Sequence, residues 1–429
     1  MTVRCPALLV AAPASGQGKT TVTAALARWH RQAGRRVRVF KCGPDFLDPQ
    51  ILAVASGQPV FNLDLGMMAG EEVAWRLADA ARTSDLILVE GVMGLVDGRP
   101  SAADIAERFR LPILAVIDGS AMAQTFGALA HGLASYRPGL PFAGALANRV
   151  GSPGHGAMLA ESLPAGMTWF GALPRNEAAL PERHLGLFTA REIPDLDVRL
   201  DRLAAALGAA TTLDLPAPVS FPDLVPPKPP RLLAGRRIAV ARDAAFAFLY
   251  PANLETLSDL GAELRFFSPL AGDAVPECEA LWLPGGYPEL HGPALGANPG
   301  FFPSLRAHHE AGRPILAECG GMMSLFGAVV DGAGAVHPFA GLLPGRATLQ
   351  PRLAALGLQR ANFDQGVLTG HTFHYSRSET SCPVWRQAAY PDGRQGEAIY
   401  RSRGLTASYM HFYFPSSPAA TAALFGAAA

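Results

Sequence analysis

Residues 12–21 read Ala12-Pro-Ala-Ser-Gly-Gln-Gly-Lys-Thr-Thr21, between an apolar run of strand length and a helical pattern. The two glycines allow backbone amides to approach a polyphosphate closely, and the start of a helix adds partial positive charge. In this setting Lys19 is expected to reach the β- and γ-phosphates of a nucleotide, and the Thr20 hydroxyl to bind Mg²⁺. The glycine that usually opens such a loop is absent, because Pro13 stands in its place. The stretch predicts a strand, a phosphate loop and a helix.

Apolar runs alternate with helical patterns along the rest of the chain. Runs without a polar face, separated by helices, are typical of parallel strands covered on both sides of the sheet. The strands expected in the first half are 7–12, 37–41, 86–90, 113–117 and 144–148, and the helices are 19–32, 69–81, 121–136, 153–162 and 196–207. The strands expected in the second half are 238–241, 263–267, 280–283 and 315–317, and the helices are 254–260 and 302–311. We predict an α/β protein with two doubly wound domains.

The domain organisation follows from chain length and proline density. The chain has 429 residues, which at roughly 150 residues per domain suggests two or three domains. Prolines crowd the stretch between Leu215 and Pro230, and proline disfavours helix interiors and sheet ladders. We predict a first domain at 1–210, an extended linker at 211–235 and a second domain at 236–429.

Composition excludes several classes of protein. Lys+Arg and Asp+Glu are both 36, which argues against a broad basic face for nucleic acid. The hydrophobic fraction of 49% is that of a core-forming chain rather than a disordered one. No apolar run reaches the length of a membrane span. Five cysteines without paired spacing favour the reducing cytoplasm.

Acidic residues follow several of the predicted strands. Asp45 and Asp48 come shortly after one strand, together with Lys41, and Glu90 ends another. Asp64 and Asp97 lie in the loops that follow. Ligands of open parallel sheets bind beyond the carboxyl ends of the strands, so these side chains are expected to converge on the phosphate loop. Oxygen ligands of this kind suit Mg²⁺.

A second site is expected around Cys319. An apolar strand runs directly into Cys319 and two glycines, and this pattern is typical of a strand-to-helix elbow that exposes a nucleophile. The helix start is expected to lower the pKa of the thiol. Gly286 ends another strand, and its backbone amide can face an oxyanion. The base is expected to be His411, with His371 and His374 as rivals.

The first half resembles the dethiobiotin synthetase family, in which a P-loop domain activates a carboxylate with ATP. The resemblance spans 5–175 and rests on the Gly-Lys-Thr sequence, Lys41, Glu90-Gly and the segment that ends in Asn148-Arg149. It implies Thr20, Asp45 and Glu90 as metal ligands and Lys41 as a phosphate-facing catalytic lysine. The nucleotide-binding residues expected from the loop and the resemblance are Gly16, Gly18, Lys19, Thr20, Thr21 and Asn148.

The second half, over about 236–415, resembles class I triad glutamine amidotransferases. That family hydrolyses glutamine with a cysteine–histidine pair. The resemblance implies Cys319 as nucleophile, His411 as base and Gly286 as oxyanion donor. In the family the histidine is followed two residues later by Glu, whereas Tyr413 stands there in this chain. Either the pair works alone or another group supplies the role of the carboxylate.

The whole chain resembles the cobyrinic acid a,c-diamide synthase family. The segments that carry the resemblance are 12–21, 41–49, 89–98, 171–175, 181–187, 318–322, 373–377 and 408–411. The resemblance implies two successive amidations of a corrin-ring acid through acyl phosphates, with glutamine, ATP and Mg²⁺. It also implies that Asp45, Asp48, Asp64 and Asp97 position the corrin carboxylates or the acyl phosphate. The guanine- and cytosine-rich genome suggested by the composition favours the cobalt-free hydrogenobyrinic acid over cobyrinic acid.

Rival functions remain at this stage. One is an amidoligase for another tetrapyrrole, such as nickel sirohydrochlorin, and another is an amidase that resembles cobyric acid synthase. An ATPase switch of the partition type shares the P-loop fold, but it leaves Cys319 and His411 without a role. A homodimer is expected only by analogy with the fold.

Overall fold

We describe the chain from a computed structural model, in which residues 1–175, 180–183, 186–187, 189–211 and 214–427 are described. Two compact units divide the chain, Met1–Pro226 and Pro227–Ala429. Within the sequence segment 181–187, residues 184–185 lie outside the described part. No helix of the described part is long and apolar enough to cross a membrane.

The first unit is built on seven parallel strands in the order β3-β2-β4-β1-β5-β6-β7. Its strands are β1 (Thr2–Ala11), β2 (Val37–Cys42), β3 (Phe61–Leu63), β4 (Leu86–Glu90), β5 (Ile113–Asp118), β6 (Phe142–Val150), β7 (Thr168–Pro174), β8 (Glu182–Arg183), β9 (Gly186–Leu187) and β10 (Pro218–Pro222). Its helices are α1 (Lys19–Gln32), α2 (Asp48–Ser56), α3 (Gly70–Thr83), α4 (Ala102–Phe109), α5 (Thr125–Ser135), α6 (Pro153–Glu161) and α7 (Leu196–Ala210). Strand β1 lies between β4 and β5, where the strand order reverses, so a crevice opens at its carboxyl end.

The prediction of an extended linker over 211–235 is wrong for its central part. Strand β10 pairs antiparallel with the first half of β1, from Thr2 opposite Pro222 to Pro6 opposite Pro218. Val219 and Phe221 are buried, while Pro218, Ser220 and Pro222 are exposed. Prolines are tolerated here because they stand at the ends of a strand that has a neighbour on one side only. The first unit consequently extends to Pro226 rather than to residue 210.

The second unit contains a ten-stranded sheet and a separate four-stranded sheet. The larger sheet has the order β12-β11-β13-β14-β23-β22-β21-β18-β19-β24, of which the first five are parallel. Its strands are β11 (Arg237–Ala241), β12 (Glu263–Phe267), β13 (Ala280–Leu283), β14 (Ile315–Glu318), β18 (Ala355–Phe363), β19 (Gly366–His374), β21 (Val384–Ala389), β22 (Gln395–Ser402), β23 (Leu405–Ser408) and β24 (His411–Tyr413). The smaller sheet comprises β15 (Phe326–Val330), β16 (Val336–Pro338), β17 (Leu343–Leu349) and β20 (Ser376–Glu379). The helices are α8 (Pro251–Asp259), α9 (Gly292–Ala297), α10 (Phe301–Glu310), α11 (Gly320–Met323) and α12 (Pro418–Leu424).

Apolar strands are required in the second unit because both faces of its parallel strands are covered. Alternate residues of β11, β13 and β14 enter two different cores. Leu281 and Leu283 pack into one core, and Ala280 and Trp282 into the other. The predicted α/β class with a parallel first sheet is confirmed. The five strands from β22 to β24 in sheet order are antiparallel and were not expected from the sequence.

Candidate active sites

The phosphate loop connects β1 to α1 at the crevice. Gly16 and Gly18 have φ values of 78° and 91°, in the left-handed region that favours glycine. A Cβ atom on Gly18 would lie 2.1 Å from Nδ2 of Asn148. Gly18 is therefore required both by its backbone conformation and by the close approach of Asn148. Thr21 is the third residue of α1.

Lys19 is held by the carbonyl groups around the loop. Its Nζ donates to the carbonyl of Met93 at 2.6 Å and to that of Ala14 at 3.1 Å. Burial, with Lys41 nearby, lowers the pKa of Lys19 to about 8. The Lys19 ammonium therefore lies between two carbonyl oxygens, and it can exchange these partners for a phosphate oxygen when a nucleotide binds.

A buried charge cluster joins the ends of β2 and β4. Lys41 and Glu90 are opposite each other in the two strands, and Lys41 Nζ lies 2.6 Å from Glu90 Oε1 and 2.5 Å from Asp48 Oδ2. Burial alone lowers the pKa of Lys41, but Asp48 and Glu90 raise it well above its ordinary value. Burial raises the pKa of Glu90 to about 7, although Lys41 opposes this. Lys41 is thus a charged group fixed by two carboxylates.

The residues expected to hold Mg²⁺ provide suitable oxygen donors. The Thr20 hydroxyl donates to Glu90 Oε1 at 2.8 Å. Glu90 Oε2 is buried and has no hydrogen-bond partner among the described residues, so an acceptor is left for a cation. Burial, and then Asp48, raise the pKa of Asp45 to about 6. These hard oxygen donors fit Mg²⁺, which completes its coordination with water and phosphate oxygens.

Among the described residues, these donors do not form a complete metal-binding cluster by themselves. In the described ranges no three His, Cys, Asp or Glu side chains form a group that could hold a metal ion. Asp45 Oδ1 already accepts from the backbone amides of Leu47 and Asp48, at 2.8 and 3.1 Å, where α2 begins. Asp45 therefore has a structural role at the start of this helix in addition to the role expected from the resemblance.

The two remaining acidic residues, Asp97 and Asp64, differ in their hydrogen-bond partners and in their distance from the phosphate loop. Asp97 Oδ2 accepts from the amide of Gly94 at 2.9 Å, and Asp97 lies near enough to Lys19 to raise the pKa of that lysine. Asp64 Oδ1 accepts from the amides of Gly66 and Met67, at 2.7 and 3.0 Å, and closes the turn after β3. The structure thus places Asp97 beside the phosphate loop and Asp64 in a turn.

Asn148 and Arg149 support the phosphate loop from the end of β6. Asn148 Nδ2 donates to the carbonyl of Gln17 at 2.9 Å. Arg149 Nη1 donates to the carbonyl of Gly16 at 2.9 Å and lies 2.7 Å from Asp118 Oδ2. Sequence reasoning missed Arg149 and Asp118. The signal for them was present, because Asp118 directly follows a predicted strand and Arg149 follows the expected nucleotide-binding residue Asn148.

In the second unit, Cys319 forms a sharp elbow between β14 and α11. Its backbone has φ 48° and ψ −111°, a conformation that costs a non-glycine residue free energy and is found at functional sites. A Cβ on Gly320 would lie 2.6 Å from the Gly286 carbonyl oxygen, and one on Gly321 2.1 Å from that of Leu283. The two glycines therefore allow α11 to lie directly on the end of β13.

The expected lowering of the Cys319 pKa is wrong. Burial raises the pKa of this thiol well above its ordinary value, and Glu289 adds to the effect. Helix α11 has only four residues, so its dipole is too weak to offset burial. Burial therefore favours the protonated thiol over the thiolate.

The backbone expected to form the oxyanion site is tightly enclosed. A Cβ on Gly286 would lie 2.1 Å from the carbonyl oxygen of Ala245, and one on Gly285 would lie 2.2 Å from Cε1 of His411. His411 therefore packs directly over Gly285, and Gly286 approaches Gly320. These contacts bring the segments of the predicted nucleophile, oxyanion donor and base together.

His411 is buried at the start of β24, where His371 of β19 is its partner in the strand register. Burial, together with His371, lowers the pKa of His411 to about 3, so its imidazole is neutral and can accept a proton. The rival His374 has other contacts. Its Nε2 lies 3.0 Å from Glu397 Oε1, and its ring stacks on Tyr409 at 3.9 Å.

Comparisons with known proteins identify the families to which the two domains belong. Residues 8–188 match the model of the CobQ/CobB/MinD/ParA nucleotide binding domain, and residues 237–419 match that of the CobB/CobQ-like glutamine amidotransferase domain. The chain is 59% identical over 423 residues to a hydrogenobyrinate a,c-diamide synthase of Pseudomonas aeruginosa, covering 98% of this chain and 97% of the relative. This chain belongs to the hydrogenobyrinate/cobyrinate a,c-diamide synthase family.

Two further relatives place the chain within this family. It is 60% identical to a hydrogenobyrinate a,c-diamide synthase of Stutzerimonas stutzeri over 429 residues, which cover 99% of each protein. It is 48% identical to a cobyrinate a,c-diamide synthase of Herminiimonas arsenicoxydans, covering 97% of this chain and 96% of the relative. The chain is therefore a ligase of the a,c-diamide synthase family that combines a nucleotide-binding domain with a glutamine amidotransferase domain, as predicted.

Proposed function

We propose that this chain amidates the a and c acetate carboxylates of hydrogenobyrinic acid, with ATP and glutamine, in cobalamin biosynthesis. The observation that carries this proposal is the 59% and 60% identity to two hydrogenobyrinate a,c-diamide synthases over almost the whole of each chain. Cobyrinic acid is the second candidate substrate, since a relative named for it is 48% identical.

The first step activates the carboxylate. A carboxylate oxygen of the corrin acid attacks the γ-phosphorus of ATP, ADP leaves and an acyl phosphate forms. The buried Lys41 ammonium and the Lys19 ammonium supply positive charge where the phosphoryl group is transferred. Thr20, Asp45 and Glu90 would hold Mg²⁺, which would supply positive charge beside the phosphates of the nucleotide.

The second step releases ammonia from glutamine. Cys319 Sγ attacks the amide carbon while His411 takes the thiol proton. The backbone amide of Gly286 stabilises the oxyanion. His411 then gives the proton to the departing ammonia, and water hydrolyses the thioester to glutamate.

The third step forms the amide. Ammonia attacks the acyl carbon and phosphate leaves, which a free carboxylate could not achieve because it has no comparable leaving group. The sequence is repeated at the second acetate, so one diamide consumes two molecules of ATP and two of glutamine.

Further roles complete the proposal. We assign the adenine contact to Asn148, and the positioning of the corrin carboxylates to Asp48, Asp64 and Asp97. Asp48 is already paired with Lys41, which supports a place for it beside the transferred phosphoryl group. The homodimer and the cytoplasmic location stay predictions, and the latter is supported by five free cysteines.

The test is mass spectrometry of a reaction with ATP, Mg²⁺, glutamine and equal amounts of hydrogenobyrinic and cobyrinic acids. We expect a diamide of hydrogenobyrinic acid to form first. Cys319→Ala should lose activity with glutamine and keep it with ammonium. Preference for cobyrinic acid would change the assigned substrate. No amidation of either acid with either nitrogen source would favour another tetrapyrrole, and ATP hydrolysis alone would favour the switch.

A further inference from the structure

The glutaminase site lacks a carboxylate two residues after its histidine, where Tyr413 stands. Tyr413 is buried and packs edge-on against Tyr250, with ring centroids 5.9 Å apart. Strand β24, which begins with His411, has only three residues. Such a short strand needs additional contacts to hold a catalytic side chain in place.

A buried carboxylate on another strand contacts the backbone of β24. Glu318 Oε1 accepts from the amide of Phe412 at 2.7 Å, and its Oε2 accepts from Trp282 Nε1 at 2.7 Å. The side chain is 2% exposed, and both of its oxygens are used. Burial raises the pKa of Glu318 to about 8, although the Phe412 and Trp282 donors oppose this. Burying a carboxylate costs free energy of desolvation, so a structural or functional role is expected for Glu318.

The three residues of this network belong to the three parts of the glutaminase site. Glu318 immediately precedes the nucleophile, Phe412 follows the base, and Trp282 lies on β13 shortly before the oxyanion glycines. One carboxylate thus connects the segments that carry Cys319, His411 and Gly286.

Asn253 of α8 also forms hydrogen bonds with the backbone at β24, but it does not connect this strand to the segments of Cys319 and Gly286. Its Nδ2 donates to the carbonyl of Phe412, and its Oδ1 accepts from the amide of Phe414, both at 2.8 Å. Glu318 differs because it is covalently next to the nucleophile. A change in its hydrogen bonds alters the position of the base relative to the thiol.

We propose that Glu318 is the positioning residue of the glutaminase site and fixes His411 relative to Cys319 through the Phe412 amide. In related amidotransferases a carboxylate at the place of Tyr413 positions the histidine. In this chain Glu318, at the end of β14, has that positioning role. The inference rests on the proposed release of ammonia from glutamine but not on the identity of the corrin acid.

The test uses Glu318→Gln, Trp282→Phe and the double variant in the full chain. In Glu318→Gln the amide can accept from only one donor, and its NH₂ group faces the other. We expect glutamate release to fall in kcat by about 10²-fold, with little change in KM for glutamine, because a displaced base slows chemistry more than binding. Trp282→Phe keeps the bond to the Phe412 amide and should lose much less.

The double variant distinguishes positioning from general stability. Trp282→Phe removes the donor that opposes the new NH₂ group, so the glutamine carbonyl can accept from the Phe412 amide. We expect the double variant to recover at least about tenfold in kcat over Glu318→Gln. A double variant no better than Glu318→Gln would overturn the proposal, and so would a Glu318→Gln variant that unfolds at a lower temperature but keeps its kcat.

Two further readouts separate this proposal from the proposed function. Ammonium-dependent amidation reports on the first unit, and we expect it to persist in all three variants. If the unmodified chain releases glutamate but amidates no corrin acid with ammonium, the proposed function fails and the Glu318 comparison still decides the inference. If the unmodified chain releases no glutamate with or without ATP, the inference is overturned.

Discussion

Lys41 and Glu90 stand opposite each other in two adjacent parallel strands, with Nζ 2.6 Å from Oε1. Both side chains are buried, and Asp48 is the second partner of the ammonium. A lysine can remain charged in such a site only because two carboxylates compensate for its lost hydration. The pair therefore links the stability of the first unit to the charge that we propose for the phosphoryl transfer.

The first prediction concerns this lysine. Lys41→Met leaves the buried Glu90 and the partly buried Asp48 without their cation, so the first unit should lose about 3–5 kcal/mol of unfolding free energy. ATP-dependent amidation should fall by more than about 10²-fold, while glutamate release persists. Urea unfolding and steady-state kinetics measure both effects. The matched control is Lys228→Met, at an exposed position. Equal effects of the two substitutions would contradict a specific role for Lys41.

The second prediction concerns the support of the phosphate loop. Arg149→Met removes the bond to the Gly16 carbonyl and the ion pair with Asp118. A hydrogen bond from a charged donor contributes about 1.5–3 kcal/mol, so KM for ATP should rise by at least about tenfold with a smaller change in kcat. Arg137→Met serves as the control, since Arg137 pairs with Asp104 and Glu107 at the surface. An unchanged KM for ATP in Arg149→Met would show that the loop holds its shape without this contact.

The third prediction concerns the elbow at Cys319. A Cβ on Gly321 would lie 2.1 Å from the Leu283 carbonyl oxygen, so Gly321→Ala must displace α11 from β13. Because a displacement of about 1 Å can cost about 10²-fold in rate, glutamine-dependent amidation should fall by that order and ammonium-dependent amidation should persist. Gly332→Ala is the matched control, because its nearest atom outside the adjoining residues is 4.0 Å away. Full glutaminase activity in Gly321→Ala would mean that the elbow tolerates the shift.

The sequence predicted correctly those elements whose residue pattern directly reflects their burial in the fold. The parallel strands are apolar on both faces, and the phosphate loop and the Cys319 elbow each follow such a strand. Strand β10 was missed because its prolines suggested a linker, while its partner is more than 200 residues away in the sequence. The antiparallel strands have one exposed face, so their apolar content is lower and their signal weaker.

The electrostatics of the sites were less predictable than their residues. A helix start after Cys319 suggested a lowered pKa, whereas complete burial decides the direction. The role of Glu318 depends on an amide of β24 and an indole of β13, which sequence spacing does not bring together. Arg149 was also overlooked, and its partners Gly16 and Asp118 belong to the phosphate loop and to the end of β5.

The fourth prediction concerns the acid sensitivity of the second unit. Burial lowers the pKa of His371 from 6.5 to about 4, so the unfolded chain binds more protons than the folded chain between these values. His371 should therefore leave the free energy of unfolding unchanged above about pH 6.5 and lower it as the pH drops toward about 4. His371→Leu removes this contribution, which at about pH 5 amounts to about 2 kcal/mol. The loss of unfolding free energy between about pH 7 and about pH 5 should be smaller in the variant by that amount. His131→Leu, at an exposed position, is the control, and chemical denaturation across this pH range is the measurement. Parallel pH profiles of His371→Leu and the unmodified chain would show that His371 carries no such linkage.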